Sequence, residues 1–156
     1  EATITALDEP GDVGLYTSIT IGADGLGLIS YWDGANNDLK VAHCSNTNCT
    51  GATITALDEP RAVGAYSSIT IGADGLGLIS YFDATSGDLK VAHCSNTNCT
   101  EATITALDET GDVGEHSSIT IGADGLGLIS YYDDTNGDLK VAHCDNTFCS
   151  PYFRRR

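Results

Sequence analysis

The chain has 156 residues, no Met, 18 Gly and a net charge of −15, from 22 acidic against 7 basic side chains. A surface that acidic repels phosphate backbones, which excludes nucleic acid as a partner class. No run approaches the ~20 consecutive apolar residues of a membrane span, and the length suits one ordinary domain with a real core.

Three copies of one unit follow each other without a gap, at 1–50, 51–100 and 101–149, with a tail at 150–156. The first two copies differ at ten positions of fifty. Such self-similarity decides the architecture before any single residue does. Within a copy, Ala2, Thr3, Ile4, Thr5, Ala6 and Leu7 alternate small polar with apolar side chains, and Ser18–Ile21 does the same. Leu28–Trp32 is β-branched and aromatic, and Leu39–His43 alternates again. All four are short and bounded by turn chemistry, the signature of strands. Asp24-Gly25 supplies one hairpin, because Asp-Gly tolerates positive φ. Asn36-Asn37 supplies the next, where later copies carry Gly87 and Gly137. No stretch holds a helical period.

The expected fold is therefore all-β: three four-stranded antiparallel, blade-like repeats of fifty residues. The wording of the strands supports this. Ile129-Ser130-Tyr131-Tyr132-Asp133, followed by Asn136-Gly137-Asp138-Leu139-Lys140-Val141-Ala142, resembles the repeats of secreted bacterial β-propeller-type proteins. The resemblance spans all three copies and implies blades; it implies little about a ligand.

Three blades fall short of the four to eight that close a propeller. Residues 2–7 are expected as an outermost strand without a sheet of its own. In the third copy the strand that should follow is replaced by Ser150-Pro151-Tyr152-Phe153-Arg154-Arg155-Arg156, leaving an open edge. Unpaired edges are templates for other chains, so strand exchange between copies is expected to complete the fold, as a closed pair or an open filament. Ala2 to Leu7 would supply the exchanged strand. Tyr152 and Phe153 would pack at the junction, and Arg154, Arg155 and Arg156 would face an acidic neighbour.

Cys44/Cys49, Cys94/Cys99 and Cys144/Cys149 repeat a Cys-x4-Cys spacing across a turn. Six cysteines in an acidic repeat protein point to disulfides and an oxidising compartment. A metal reading, with His43, Cys44 and Cys49, offers three ligands per copy where zinc needs four. Asp33/Asp38, Asp83/Asp88 and Asp133/Asp138 place two carboxylates at each turn, which could hold calcium or stabilise the turn itself. No other cofactor is expected. Asn48 and Asn98 begin glycosylation sequons that Phe148 removes from the third copy.

The copies vary in two patches. One spans positions 10–17 and includes Tyr16, Tyr66 and His116; the other spans positions 32–37 and includes Trp32, Phe82 and Tyr132. Both patches should share one edge of the blades, where a ligand such as a glycan could bind. His43, His93 and His143 read as packing residues, since no nucleophile accompanies them. The expectation is a secreted, extracellular or cell-surface structural protein that assembles with other copies of itself. The alternative is a lectin-like or adhesive module. No enzyme is expected, because nothing in the triplicated pattern forms a unique catalytic constellation.

Overall fold

Short alternating segments with a turn every few residues can bury one face only by stacking as sheets. The structure, a computed structural model, describes residues 1–59 and 61–151, so the junction roles expected of Tyr152, Phe153, Arg154, Arg155 and Arg156 lie outside the described residues. It contains eleven strands and, among the described residues, no helix. Strands β1 (Val13–Ile21), β2 (Gly27–Asp33), β3 (Asp38–Cys44) and β4 (Ala52–Asp58) form one antiparallel sheet in sequence order. Strands β5 (Val63–Ile71), β6 (Gly77–Asp83), β7 (Asp88–Cys94) and β8 (Ala102–Asp108) form the second. Strands β9 (Val113–Ile121), β10 (Gly127–Asp133) and β11 (Asp138–His143) form a third with three members. This is the expected blade pattern, with the expected gap in the last blade.

One boundary differs from the sequence reading. The strand expected at 18–21 begins at Val13, and its register against β2 shifts twice, at Val13/Leu15 and Leu15/Ser18. Gly14 and Tyr16 take positive φ there, which breaks the two-residue alternation and hides the strand from pattern reading. The sheets are offset from the repeats, as the expected outermost place of residues 2–7 implies. The Ala-Thr-Ile-Thr segment of each later copy closes the sheet of the copy before it, as β4 and β8. Residues 2–7 form no strand within the chain.

The blades stack face to face, with β1 against β5 and β5 against β9. The core accordingly lies in two seams rather than inside any one sheet. Leu28, Leu39 and Val41 of the first blade meet Val63, Ile69, Ile79 and Tyr81 of the second. Leu78, Leu89 and Val91 repeat the arrangement against Val113, Ile119, Ile129 and Tyr131. Close approach requires glycine at the start of β5: a Cβ on Gly64 would lie 2.7 Å from the Leu39 Cα. Gly114 meets Leu89 in the same way, at 2.8 Å.

Candidate functional site

The two edges of the blades carry different chemistry. At one edge the cysteines pair as expected, Cys44–Cys49, Cys94–Cys99 and Cys144–Cys149. The metal alternative for these cysteines is thereby overturned, since all six are disulfide-bonded. Each bridge sits on a glycine: a Cβ on Gly77 would lie 2.7 Å from the Cys94 Sγ. His43, His93 and His143 lie at the same edge and bond Asp24, Asp74 and Asp124 at 2.7, 2.7 and 2.6 Å. They brace the Asp-Gly hairpins, and His93 also meets the Phe148 ring edge-on at 4.7 Å. Asn48 and Asn98 are exposed in the disulfide loops.

The opposite edge gathers both variable patches. Leu15 pairs with Trp32, Ala65 with Phe82 and Glu115 with Tyr132. Beside each pair, the bulge in the first strand puts Tyr16, Tyr66 and His116 at φ 54, 55 and 53°. Left-handed backbone is uncommon for bulky side chains and costs energy that the surroundings must supply. Here a ladder of serines supplies it. Ser67 donates its hydroxyl to the Tyr16 carbonyl at 2.9 Å, so the Ser30 hydroxyl donates to Ser67, also at 2.9 Å. Ser117 repeats both bonds with Tyr66 and Ser80. The Ile69 and Ile119 amides donate to Ser18 and Ser68.

This ladder sets the spacing between blades, and the spacing stacks the rings. Tyr16 and Tyr66 have ring centroids 4.5 Å apart, and Tyr66 and His116 4.3 Å. Trp32 lies 6.0 Å from Tyr16 and Phe82 lies 6.4 Å from Tyr66. Five of the six residues expected at this edge are thus one aromatic row. Tyr132 lines a separate, shallow hollow with His116, Tyr131, Asp138 and Leu139 on the open side of the third blade. Tyr16 and His116 are exposed and Tyr66 is half-buried. Burial pushes the Tyr66 hydroxyl up, and Tyr16 and Glu115 add to the shift.

The paired carboxylates behave differently from one another. Asp33 is fully buried and accepts from the Ala35 and Asn36 amides, the Asn36 side chain and Lys40 Nζ. Its burial opposes ionisation, but Lys40 and Asn36 outweigh this and hold the carboxyl at about 2. Asp83 is bound alike to Lys90 at 2.7 Å, whereas Lys140 lies 3.6 Å from Asp133 and closer, at 2.7 Å, to Asp108. Asp38 is pushed up by burial, then by Glu59 and Asp33. The oxygens of Asp33, Asp83 and Asp133 are committed to turn and lysine. Among the described residues no three His, Cys, Asp or Glu are grouped to hold a metal ion.

Sequence reasoning missed one element altogether. Asp58, at the end of the first sheet, accepts the Tyr81 hydroxyl of the second at 2.8 Å and lies 3.6 Å from Lys90. Asp108 does the same for Tyr131 and Lys140, at 2.8 and 2.7 Å. Asp8 does it for Tyr31 and Lys40, at 2.7 and 3.3 Å. Each seam is therefore buckled by a lysine between two carboxylates. The available signal was that all four positions are identical in the three copies.

No family model matches the chain, and no curated protein matches it. Solved structures do. An α-L-arabinofuranosidase from Fusarium graminearum aligns over 99% of this chain and 52% of its own, at 11% identity and TM-score 0.61. An α-L-arabinofuranosidase from Clostridium thermocellum aligns over 94% and 49%, at 11% identity and TM-score 0.58. The chain has a β-propeller-type fold.

A fucose lectin from Kordia zhangzhouensis aligns with this propeller over 84% of the chain and 99% of the lectin, at 10% identity and TM-score 0.50. The propeller spans about half the length of the two arabinofuranosidases and nearly the whole of the lectin. Three disulfides match an oxidising compartment. No helix is long and apolar enough to cross a membrane among the described residues.

Proposed function

We propose that the protein is a secreted, lectin-like module that binds glycan at the aromatic row. The observation that carries this reading is the stack of Tyr16, Tyr66 and His116, held by strained backbone at the variable edge. Rings already fixed in place lose little side-chain freedom when a ligand arrives. Left-handed backbone also occurs at Cys49, Cys99 and Cys149 on the disulfide edge, where it closes the bridged loops, but at Tyr16, Tyr66 and His116 it sets rings at an accessible edge, the arrangement that suits a binding surface. The match to a fucose lectin of nearly the same extent supports it.

Binding without catalysis is the reading, although the arabinofuranosidase likeness raises hydrolysis as a competitor. Glycoside hydrolysis needs two carboxyl groups flanking the bond, one acid and one base or nucleophile. The buried carboxylates at this edge, Asp33, Asp83 and Asp133, are each neutralised by a lysine. Trp32 is the one tryptophan and adjoins Tyr16, so its emission reports on the row. L-fucose and L-arabinose are titrated against the protein, with sugar products assayed in parallel. A saturable change in emission is expected, with at least tenfold weaker binding in Tyr66→Ala and no hydrolysis. No response to either sugar, or unchanged binding by Tyr66→Ala, refutes the reading.

A second reading is structural self-association, up to a filament. It is favoured by the exposure of Leu139 and Val141 on the third blade, where the earlier copies bury the same positions.

A further inference from the structure

The seam between blades occurs twice in the chain, and each end of the stack presents half of a third. On the third blade, Leu139 and Val141 are 82% and 59% exposed, while Leu39, Leu89, Val41 and Val91 are at 0–1%. On the first blade, Ile19 is 64% exposed against 6% for Ile69 and 7% for Ile119. Gly14 shares the positive φ of Gly64 and Gly114, yet a Cβ there meets nothing within 4 Å, whereas theirs meet Leu39 and Leu89. The two open faces are the two sides of one interface. Leu139 fits where Gly14 and Ile19 lie open, as Leu39 fits Gly64 and Ile69.

The strand edges match in the same sense. β11 has no further partner beyond β10 among the described residues, and its residues alternate exposed and half-buried. Residues 2–7 have the strand sequence without a sheet. Asp8 nevertheless bonds Tyr31 and Lys40 as Asp58 bonds Tyr81 and Lys90. Asp8 therefore already stands where Asp58 stands at the end of a fourth strand, with the strand sequence of residues 2–7 leading into it.

We propose that a second copy of this chain supplies it, so that two copies close one ring of six blades. The pairing follows from β3 with β4, where Leu39 faces Asp58, Val41 faces Thr55 and Cys44 faces Ala52. Across the junction, Leu139 of one copy faces Asp8 of the other, Val141 faces Thr5 and Cys144 faces Ala2. Ile4, 92% exposed in the single chain, is covered opposite Ala142. The contact surfaces differ on the two sides, and a two-fold axis forms the junction twice. Six blades lie within the range that closes. This assembly does not depend on sugar binding.

The purified full chain is weighed by light scattering, and amide exchange is followed on β11. The expected mass is twice the 16.2 kDa of one chain, with the outward amides of β11 protected. Ile19→Asp and Val141→Asp change residues exposed in the single chain, so each folds with unchanged circular dichroism and pairs at least tenfold more weakly. A single-chain mass at every concentration tried, or an open polymer, overturns the closed pair. So does unchanged pairing by either variant, or fast exchange along β11 in the wild type.

Discussion

The Tyr81 hydroxyl donates to the Asp58 carboxylate across the seam between the first two blades, at 2.8 Å. Lys90 sits beside both, 2.7 Å from Asp83 and 3.6 Å from Asp58. Burial pushes the Tyr81 hydroxyl far up, with Asp58 adding to the shift, so the tyrosine is a donor at any working pH. The lysine is what permits the buried Asp83 and the half-buried Asp58 to share the seam.

Lys90→Met leaves Asp83 buried without its counter-charge. Breaking a fully buried pair from one side costs ~3–5 kcal/mol. Lys90 keeps some exposure, so a loss of roughly 2–3 kcal/mol is expected after solvent screening, read from urea unfolding at neutral pH. Replacing Asp58 by Asn should recover little of it, because Asp83 stays charged.

Acid should loosen the seams. Asp33 is held at about 2 against 3.8 for a free carboxyl, and Asp83 and Asp108 are also lowered. A carboxyl depressed in the folded state stabilises it above the free value, and that contribution is lost as the pH falls through the folded value. The urea midpoint should therefore fall between about pH 4 and pH 2. Asp38 works in the opposite sense, since its carboxyl is raised. Asp38→Asn should stabilise the protein at neutral pH, an advantage that fades on acidification.

The disulfide edge predicts a coupling. Each bridge closes a loop of six residues, worth about 2 kcal/mol by chain entropy. Gly77→Ala adds a Cβ within 2.7 Å of the Cys94 Sγ, which the bridge holds in place. Gly77→Ala should lower the melting temperature more in the oxidised protein than in a Cys94→Ser, Cys99→Ser background. Equal shifts would mean that the glycine serves the backbone alone.

The serine ladder is testable through the row it spaces. Ser67→Ala removes the donor to the Tyr16 carbonyl and the acceptor for Ser30. A cost of about 1–2 kcal/mol is expected, together with a shift in Trp32 emission. Ser68→Ala, which frees only the Ile119 amide, should leave that emission unchanged.

Gly14 and Gly64 separate the single chain from its assembly. Gly64→Ala meets Leu39 backbone and takes a strained φ, so a loss of about 3 kcal/mol is expected from strain and overpacking together. Gly14→Ala meets open space and should cost about 1–2 kcal/mol in the single chain from its left-handed φ alone, while weakening the pair. Analytical ultracentrifugation beside thermal melts distinguishes the two.

Most of the strands were legible because Thr-Ile-Thr and Leu-Lys-Val-Ala alternate with a period of two and end at turns. The first half of β1 was not, since Gly14 and Tyr16 interrupt that period with left-handed backbone. The variable edge was legible as a place, through Trp32/Phe82/Tyr132 and Tyr16/Tyr66/His116, but not as a stack. Ring spacing depends on Ser30, Ser67 and their copies, whose bonds join blades and leave no local pattern. The buckle of Asp58, Tyr81, Asp83 and Lys90 was hidden for the same reason, as its members lie up to 32 positions apart in the chain.

The offset between sheet and repeat has an evolutionary consequence. Because β4 and β8 each come from the copy after the one that begins the sheet, the fifty-residue unit of duplication is not the unit of folding. An unequal crossover anywhere in the parent gene adds or removes one whole blade, whatever the breakpoint, and every hydrogen-bond register on either side survives. A lineage carrying such a chain could change its number of blades in single recombination events while keeping the pairing of every internal sheet.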